Sequence, residues 1–324
     1  MGDCDNGKTM RILNIYDRLT HGEIINKEDV AKEFNVSGKT ITRDINDIDI
    51  YVDSIKSLGQ VKYKRSERGY ILNSNVKHCL KNEEILAITK ILLESRAFCK
   101  EELERLIDVL LYNVSCEEQH KVSRLIGNEK IHFVELEHKK KLISMIWDLS
   151  NYINSKNIIK LDYVNVKGEN REKTVSPVAI TFSEFYFYLL AYNDENYNSP
   201  IVYRVDRIQK YTNTGEHFQI PESKRFEDGE FRKRVQFMYT GKLEKIRFEF
   251  TGPSIEPVLD RLPTANILNE DNGKYTVEAE VFGKGIKMWI LSQGAAIKVI
   301  SPESFVEAIG EEIRKMSSFY EKVK

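Results

Sequence analysis

The chain has 324 residues, of which 41% are hydrophobic and 31% are charged, and its formal net charge is −1. Its length predicts two or three domains, and its balanced charge excludes bulk electrostatic attraction to nucleic acid, so any DNA contact has to come from a local basic patch. No run of eighteen or more apolar residues occurs, so we expect no transmembrane helix and no membrane partner.

Residues 1–75 are predicted to form a winged helix-turn-helix, that is, three helices followed by a β-hairpin. The first helix is indicated by apolar residues at helical spacing, which are Ile12, Ile15, Tyr16 and Leu19. Asn26 is predicted to cap a second helix and Ser37 a third. The third helix turns Ile41, Ile45 and Ile48 towards the core, and the hairpin follows at Val61 to Leu72.

The outer face of the third helix and the hairpin are polar and partly basic, whereas most acidic residues of this region lie elsewhere. A third helix of this kind enters the major groove, while the hairpin holds the phosphate backbone. Asp44, Asp47 and Glu67 weaken the patch, because they are acids within it. The predicted DNA-binding residues are Ser37, Lys39, Thr40, Thr42, Arg43 and Asn46 on the helix and Lys62, Lys64, Arg65 and Arg68 on the hairpin.

The segment KEDVAKEFNVSGKTITRDINDI is similar to the DeoR-type winged helix, in which a V-S turn is followed by T-I-x-R-D-L. The resemblance implies binding to a double-stranded DNA operator. The matching positions are Val36, Ser37, Thr40, Ile41, Arg43, Asp44 and Ile45.

Residues 76–157 are predicted to be a helical connector, with Asn82 as the cap of its first helix and a less regular piece from Gly127 to Glu137. The connector has more apolar positions than one short bundle needs. Two interpretations therefore stay open: a homodimer interface, which helix-turn-helix proteins use to read two half-sites, and an intramolecular bundle.

The stretch from Arg171 to Tyr211 contains a dense aromatic and aliphatic run, Phe185 to Tyr192, in which both faces of a strand are largely apolar. Such a strand is either buried on both sides or lines a pocket with its tyrosine hydroxyls. Arg204 and Arg207 return towards it, which would suit an anionic ligand. Arg207 also stands beside Asp206, and the alternative is that these two residues form a structural ion pair.

This stretch resembles the WYL domain, with Phe187, Tyr188 and Leu189 at the signature triad and Y-R-V-D-R-I from Tyr203 to Ile208. The resemblance implies a small Sm-like β-barrel over residues 158–220 that senses an anionic small-molecule or oligonucleotide effector. The residues expected to bind the effector are Tyr163, Arg171, Ser183, Phe187, Tyr188, Tyr203, Arg204 and Arg207.

Residues 221–324 are predicted to form a third unit, in which strands and helices alternate in the order β-α-β-α-β-α from about residue 243. This order resembles the C-terminal extension that accompanies many WYL domains, here marked by Trp289-Ile290-Leu291 and Gly294. Such an extension implies dimerisation or contact with the WYL domain.

Catalytic and metal-binding motifs are missing from the sequence. It has no phosphate-binding loop, nucleophile elbow or H-E-x-x-H motif, and its six histidines are dispersed. Its four cysteines, Cys4, Cys79, Cys99 and Cys116, are widely spaced, which indicates reduced thiols. We therefore expect a cytoplasmic protein that is not an enzyme and has no metal or cofactor.

Together these patterns predict a multidomain α+β protein of the WYL-regulator type, ordered as winged helix, helical connector, Sm-like β-barrel and C-terminal domain. The predicted function is that of a homodimeric, ligand-responsive transcriptional regulator. The alternative is a nucleic-acid-binding accessory factor whose WYL domain binds single-stranded DNA or RNA as its main role.

Overall fold

The computed structural model describes residues 3–20, 22–54, 59–73, 80–112, 116–193, 197 and 200–320. The chain divides into two units, Met1–Lys139 and Lys140–Lys324. Cys79, the side chains of Cys4 and Cys116, and the predicted boundary at residues 75 and 76 lie outside the described part, while Cys99 is a buried free thiol. No helix in the described part of the chain has both the length and the apolar composition that a bilayer crossing requires.

The first unit begins with the predicted helices and hairpin. Their shared core contains Ile15, Leu19, Val30 and the predicted stripe of the third helix. Asn26 caps the second helix, because its side-chain oxygen accepts a hydrogen bond from the Glu28 backbone N–H at 2.9 Å. The elements are α1 (Asp3–Thr20), α2 (Lys27–Glu33), α3 (Gly38–Ser54), β1 (Gln60–Lys64) and β2 (Gly69–Asn73).

Backbone hydrogen bonds hold the hairpin against the helices. Ile25 and Tyr70 exchange two N–H···O bonds of 2.9 Å each, and the Val61 N–H donates to Asp49 Oδ1 at 2.9 Å. Gly69 allows this approach, since a Cβ at that position would collide with the Ile24 side chain. The hairpin is therefore fixed both to the segment before α2 and to α3.

Three further helices in the first unit pack around Ile85, Leu103, Ile107, Val122 and Ile126. They are α4 (Asn82–Ser95), α5 (Lys100–Tyr112) and α6 (Cys116–Ile131). Two predictions about the connector are wrong in detail. Asn82 is the first helical residue, preceded by Lys81, whose N–H donates to the Glu84 carboxylate at 2.8 Å, and the less regular piece begins only after α6. Whether this region forms a dimer interface stays a prediction.

The second unit begins with α7, which packs on a five-stranded antiparallel sheet. Leu142 and Leu149 on the helix side meet Ile159, Leu161 and Val205 from the sheet. The elements are α7 (Ile143–Asn154), β3 (Asn157–Val164), β4 (Asn170–Ser183), β5 (Tyr186–Tyr192), β6 (Ile201–Arg204) and β7 (Ile208–His217).

The spatial order of these strands is β6-β5-β4-β3-β7. A 3-10 turn, Val205–Arg207, separates the two edge strands, and no pairing joins them among the described residues. The sheet therefore does not close into a barrel, because closure requires its first and last strands to pair. The predicted Sm-like β-barrel is not confirmed.

Strand β5 is covered on both faces over its second half. Leu189 and Ala191 belong to the core beneath α7. Leu190 on the opposite face packs with Phe231 of helix α8 (Asp228–Arg234) and with Met238. The alternation in the sequence thus corresponds to two separate cores, one on each side of the sheet.

A four-stranded antiparallel sheet of order β11-β8-β10-β9 carries α10 and α11. Strand β9 corrects the predicted β-α-β-α-β-α order. It pairs with β10 across Asn272-Gly273, where both residues have positive φ of 49° and 79°, a turn that an N-G dipeptide favours. The elements are β8 (Leu243–Phe250), α9 (Glu256–Arg261), β9 (Asn266–Asp271), β10 (Lys274–Phe282), α10 (Gly283–Ser292), β11 (Ile297–Ser301) and α11 (Glu303–Ser318).

Candidate functional site

The predicted DNA-binding face of α3 is only partly available for contact. Ile41, Ile45 and Ile48 are buried, and helical periodicity therefore leaves the side chains of Lys39, Arg43 and Asn46 exposed. Among the described residues, these exposed side chains form no hydrogen bond or ion pair. They are the outward group of the helix.

The hydroxyl groups predicted to contact DNA instead bond within the start of α3. Ser37 Oγ accepts from the Thr40 N–H at 3.2 Å and lies 2.9 Å from Thr40 Oγ1. Thr42 Oγ1 donates to the Gly38 carbonyl at 3.0 Å. These hydroxyl groups therefore cap or line the helix, whereas the side chains of the outward group project away from it.

The hairpin cations are all exposed. Lys62 and Lys64 share one face of β1, while Tyr63 on the other face packs edge-on against Tyr70 with ring centroids 5.1 Å apart. Lys64 is paired with Glu67. Arg65 and Arg68 complete the exposed basic set at the turn.

The acids within this patch are neutralised. Asp44 is buried with 1% of its side chain exposed, and the Arg11 Nε donates to its Oδ2 at 2.6 Å. Asp47 pairs with Lys8 on α1 at 3.1 Å. The expectation that Asp44 weakens the patch is wrong, because the helix turns this side chain inwards to α1.

The second group of predicted residues surrounds Arg204 at the end of β6. Its Nε and Nη2 donate to the two carboxylate oxygens of Asp206 at 3.0 and 2.8 Å. Its guanidinium carbon lies 3.4 Å from the centroid of the Tyr186 ring, and its backbone N–H donates to the Tyr163 hydroxyl at 3.3 Å. Tyr188 lies opposite Arg204 in the β5–β6 register.

Tyr186 is missing from the predicted set although it stacks on Arg204. The signal is present in the sequence, since Tyr186 and Tyr188 are two residues apart and lie on the same face of β5. Tyr163, Tyr186, Tyr188, Arg204 and Asp206 are hereafter called the Tyr–Arg cluster.

The ion pair in the cluster differs from the one that the sequence suggests. Asp206 binds Arg204, and the Arg207 side chain forms no ion pair among the described residues. The Asp206 side chain is 6% exposed and that of Arg204 is 22% exposed. Asp206 thus accepts from two of the guanidinium N–H groups of Arg204, and the remaining N–H groups are the donors that a phosphate could use.

Ionisation in the cluster follows this geometry. Burial alone would lower the pKa of Arg204, but the hydrogen bond and the charge of Asp206 leave this pKa above its ordinary value. Burial raises the pKa of Tyr188, while the Arg204 charge acts in the opposite direction. Arg204 is therefore a permanent cation and Tyr188 a neutral hydrogen-bonding group.

The remaining predicted ligand residues are less suited to binding. Phe187 and Tyr203 belong to the core beneath α7, and the Tyr203 hydroxyl donates to Asn193 Oδ1 at 2.7 Å. Arg171 is exposed and pairs with Glu169 at 2.8 Å. Ser183 lies at the end of β4, opposite Tyr186. No group of three or more potential metal-ligating side chains occurs in the part of the chain that the structure describes.

Comparison with family models identifies a WYL domain over residues 145–213 and a WCX domain over residues 242–317. The predicted WYL domain is thus confirmed, and the WCX domain lies where the C-terminal extension is predicted. The WYL range includes most of α7 and the five-stranded sheet up to the middle of β7, and the WCX range includes the four-stranded sheet. The predicted domain boundaries stay predictions.

Several solved structures resemble the chain, and two of them illustrate the low sequence identity. Proteasome accessory factor B/C (PafBC) of Arthrobacter aurescens matches 93% of this chain at 14% identity with a TM-score of 0.31, and the chain spans only 47% of its length. A CRISPR Cas-related protein matches 77% of this chain, which covers 76% of that protein, at 14% identity with a TM-score of 0.38. No curated protein matches the chain.

Proposed function

We propose that this protein is a DNA-binding transcriptional regulator whose DeoR-type winged helix contacts an operator and whose WYL domain responds to an anionic effector. The proposal includes a homodimer in the cytoplasm and no enzymatic activity. Its main support is the exposed basic surface formed by Lys39, Arg43 and the hairpin cations. Such a surface binds duplex DNA through phosphate neutralisation, with an arginine and an asparagine available for base edges.

The location of the basic residues supports DNA binding because the overall charge of the chain is nearly balanced. A chain of net charge −1 has no general attraction for DNA. Asp44 is buried in an ion pair with Arg11, and Asp47 and Glu67 are paired with lysines. Electrostatic attraction to DNA would therefore come mainly from the exposed cations of α3 and of the hairpin. This arrangement suits a helix that reads bases in the major groove.

The test is a fluorescence-anisotropy titration of the full-length protein against its own upstream intergenic duplex and a scrambled duplex, at about 50 and about 200 mM salt. We expect both duplexes to bind at low salt and only the upstream duplex to bind well at high salt. Equal binding of both duplexes, abolished together as salt increases, would contradict operator reading.

A second candidate function is supported by exposed aromatic residues around the turn between β4 and β5, together with the stacking of Arg204 on Tyr186. Phe182 and Phe185 are 37% and 40% exposed, and Arg204 stacks on Tyr186. Aromatic faces with an arginine are the usual elements of single-strand binding. If single-strand binding is the main role, a single-stranded oligonucleotide of the same sequence binds the full-length protein more tightly than the duplex does, and Arg204→Gln removes that preference.

A further inference from the structure

A cavity of about 600 Å³ lies in the second unit, where the WYL range ends and the WCX range begins. Tyr192 at the end of β5 contributes to its wall, and Leu243 and Phe282 contribute from β8 and β10. Much of the remaining wall comes from residues 223–242, which belong mainly to the segment between the two matched ranges. None of the residues predicted to bind an effector lines this junction cavity.

One side of the junction cavity is aromatic. Phe231 of α8 lies 5.5 Å from Phe226 and 5.6 Å from Phe282, measured between ring centroids. Tyr192 and Tyr197 meet edge-on with centroids 5.3 Å apart. These rings form a surface on which a planar apolar group can stack.

Basic groups outnumber acidic ones around the junction cavity. The lining includes the cations Lys224, Arg225, Arg234 and Lys242 against the carboxylates Glu227 and Glu230. Arg234 is held by Glu230 at 2.6 Å and by Glu280 at 2.7 Å, so it contributes to the wall rather than offering a free fork. Lys242 is exposed and, among the described residues, its ammonium has no hydrogen-bonding partner. An anionic group at the rim would therefore be favoured.

The turn that precedes the lining residues Thr240 to Lys242 adopts an uncommon conformation. Phe237 and Met238 have φ of 50° and 55°, in a turn closed by pairing between Gln236 and Tyr239. Residues with large side chains seldom adopt this left-handed region. Met238 is kept there by packing with Phe231, and Phe237 by the Arg261 guanidinium 4.8 Å above its ring. Packing thus fixes a strained segment next to the cavity, as is frequent at binding sites.

We propose that the junction cavity binds a small anion that carries an aromatic ring, with the ring against Phe226, Phe231 and Phe282 and the anionic group beside Lys242. The size is within the range of small-molecule sites, and the combination of aromatic wall and cationic rim selects this chemistry. That such binding acts on DNA affinity rests on the proposed function. The binding itself does not depend on it.

The ligand is unidentified, so the test uses 1-naphthyl phosphate as the probe, with 1-naphthol and inorganic phosphate as partial probes. Isothermal titration calorimetry on the full-length protein without DNA should give a Kd below about 1 mM for 1-naphthyl phosphate and weaker binding of both partial probes. Absence of 1-naphthyl phosphate binding, or equal binding of 1-naphthol, overturns the proposal.

Variants locate the site. Lys242→Glu should weaken 1-naphthyl phosphate binding at least about tenfold, because it replaces a charge-assisted hydrogen bond with repulsion. Lys210→Glu, an exposed change on β7 outside the cavity, is the matched control and should leave the Kd within about twofold, the margin expected of a distant surface charge. If Lys242→Glu binds like wild type, or Arg204→Gln abolishes binding, the anion binds elsewhere and the proposal fails.

Phe226→Ala tests the ring contact separately and should weaken 1-naphthyl phosphate while leaving inorganic phosphate unchanged. Circular dichroism and thermal unfolding of each variant show whether it is folded. Failure of DNA binding in the intact protein would not affect any of these results, so the two proposals can fail independently.

Discussion

The first unit and the Tyr–Arg cluster both contain an arginine followed closely by a buried aspartate. In the first unit the two side chains do not pair, whereas in the cluster they do. On α3, Arg43 and Asp44 are adjacent, and helical geometry rotates them about 100° apart, so Asp44 turns inwards to Arg11 and Arg43 stays exposed. At the end of β6, Arg204 and Asp206 are two residues apart and bind each other. Backbone geometry, rather than the presence of an acid nearby, decides which arginine is available for a ligand.

The largest expected effect is on stability, from Asp44→Ala. Removing one partner of a buried pair leaves Arg11, whose side chain is 10% exposed, without its counter-charge, at a cost of about 3–5 kcal/mol in the free energy of unfolding. Asp206→Ala should cost less, about 1–3 kcal/mol, because Arg204 is 22% exposed and can be hydrated. Urea unfolding followed by circular dichroism measures both.

Asp47→Ala is the matched control for the first variant, since it breaks an exposed pair with Lys8 on the same two helices. We expect it to cost no more than about 1 kcal/mol. If Asp44→Ala were as mild as Asp47→Ala, the inward orientation of Asp44 would not matter to the fold, and the contrast between the two arginines would lose its basis.

The next effect is on DNA affinity. Arg43→Ala should weaken operator binding by about 1–3 kcal/mol, because it removes an exposed arginine from the outward face of α3 without disturbing the core. Arg124→Ala on α6 replaces another exposed arginine and should leave affinity unchanged. Anisotropy titrations with the upstream and scrambled duplexes distinguish loss of sequence reading from general weakening, and equal effects of the two variants would be incompatible with the assigned surface.

Lys62→Ala in the hairpin should have a smaller effect that does not depend on sequence. Because the variant can no longer neutralise one phosphate, the slope of log affinity against log salt concentration should fall by about 1. The measurement is a salt series on both duplexes. An unchanged slope would mean that the hairpin does not touch the backbone, and a weakening restricted to the upstream duplex would indicate base reading instead.

The helices and the hairpin of the first unit were predictable from the sequence because their signals are local. Ile41, Ile45 and Ile48 fall within one helical arc, and Asn26 caps α2 as its position before an apolar repeat indicates. The additional strand β9 was also predictable, since Asn272-Gly273 is a strong hairpin signal. The strand has only two apolar residues, Ile267 and Leu268, and because they are adjacent and exposed they do not show the usual alternation.

Interactions between distant residues could not be read from the sequence. Arg11 and Asp44 are 33 positions apart, and no local pattern pairs them. The junction cavity is lined by separate segments between Tyr192 and Phe282, which only the folded second unit brings together. Near Arg204 the sequence offers two candidate pairs, because Asp206 is adjacent to Arg207 and two residues from Arg204, and the structure pairs it with the more distant arginine.

The smallest predicted effect concerns alkaline pH in the second unit. The Tyr211 hydroxyl donates to Asp148 Oδ2 at 2.7 Å, and burial together with this bond raises the pKa of Tyr211 to about 12. A tyrosine in the unfolded chain ionises near pH 10, so the contribution of Tyr211 to stability is complete below about pH 10 and is lost as pH rises towards 12. Tyr211→Phe should cost about 0.5–1.5 kcal/mol near neutral pH and make the melting temperature less sensitive to pH between about 10 and 12. Tyr320→Phe, at an 87% exposed position, is the control and should keep the wild-type pH dependence. If the two variants respond to pH alike, the hydrogen bond between Tyr211 on β7 and Asp148 on α7 does not determine the stability of the second unit at high pH.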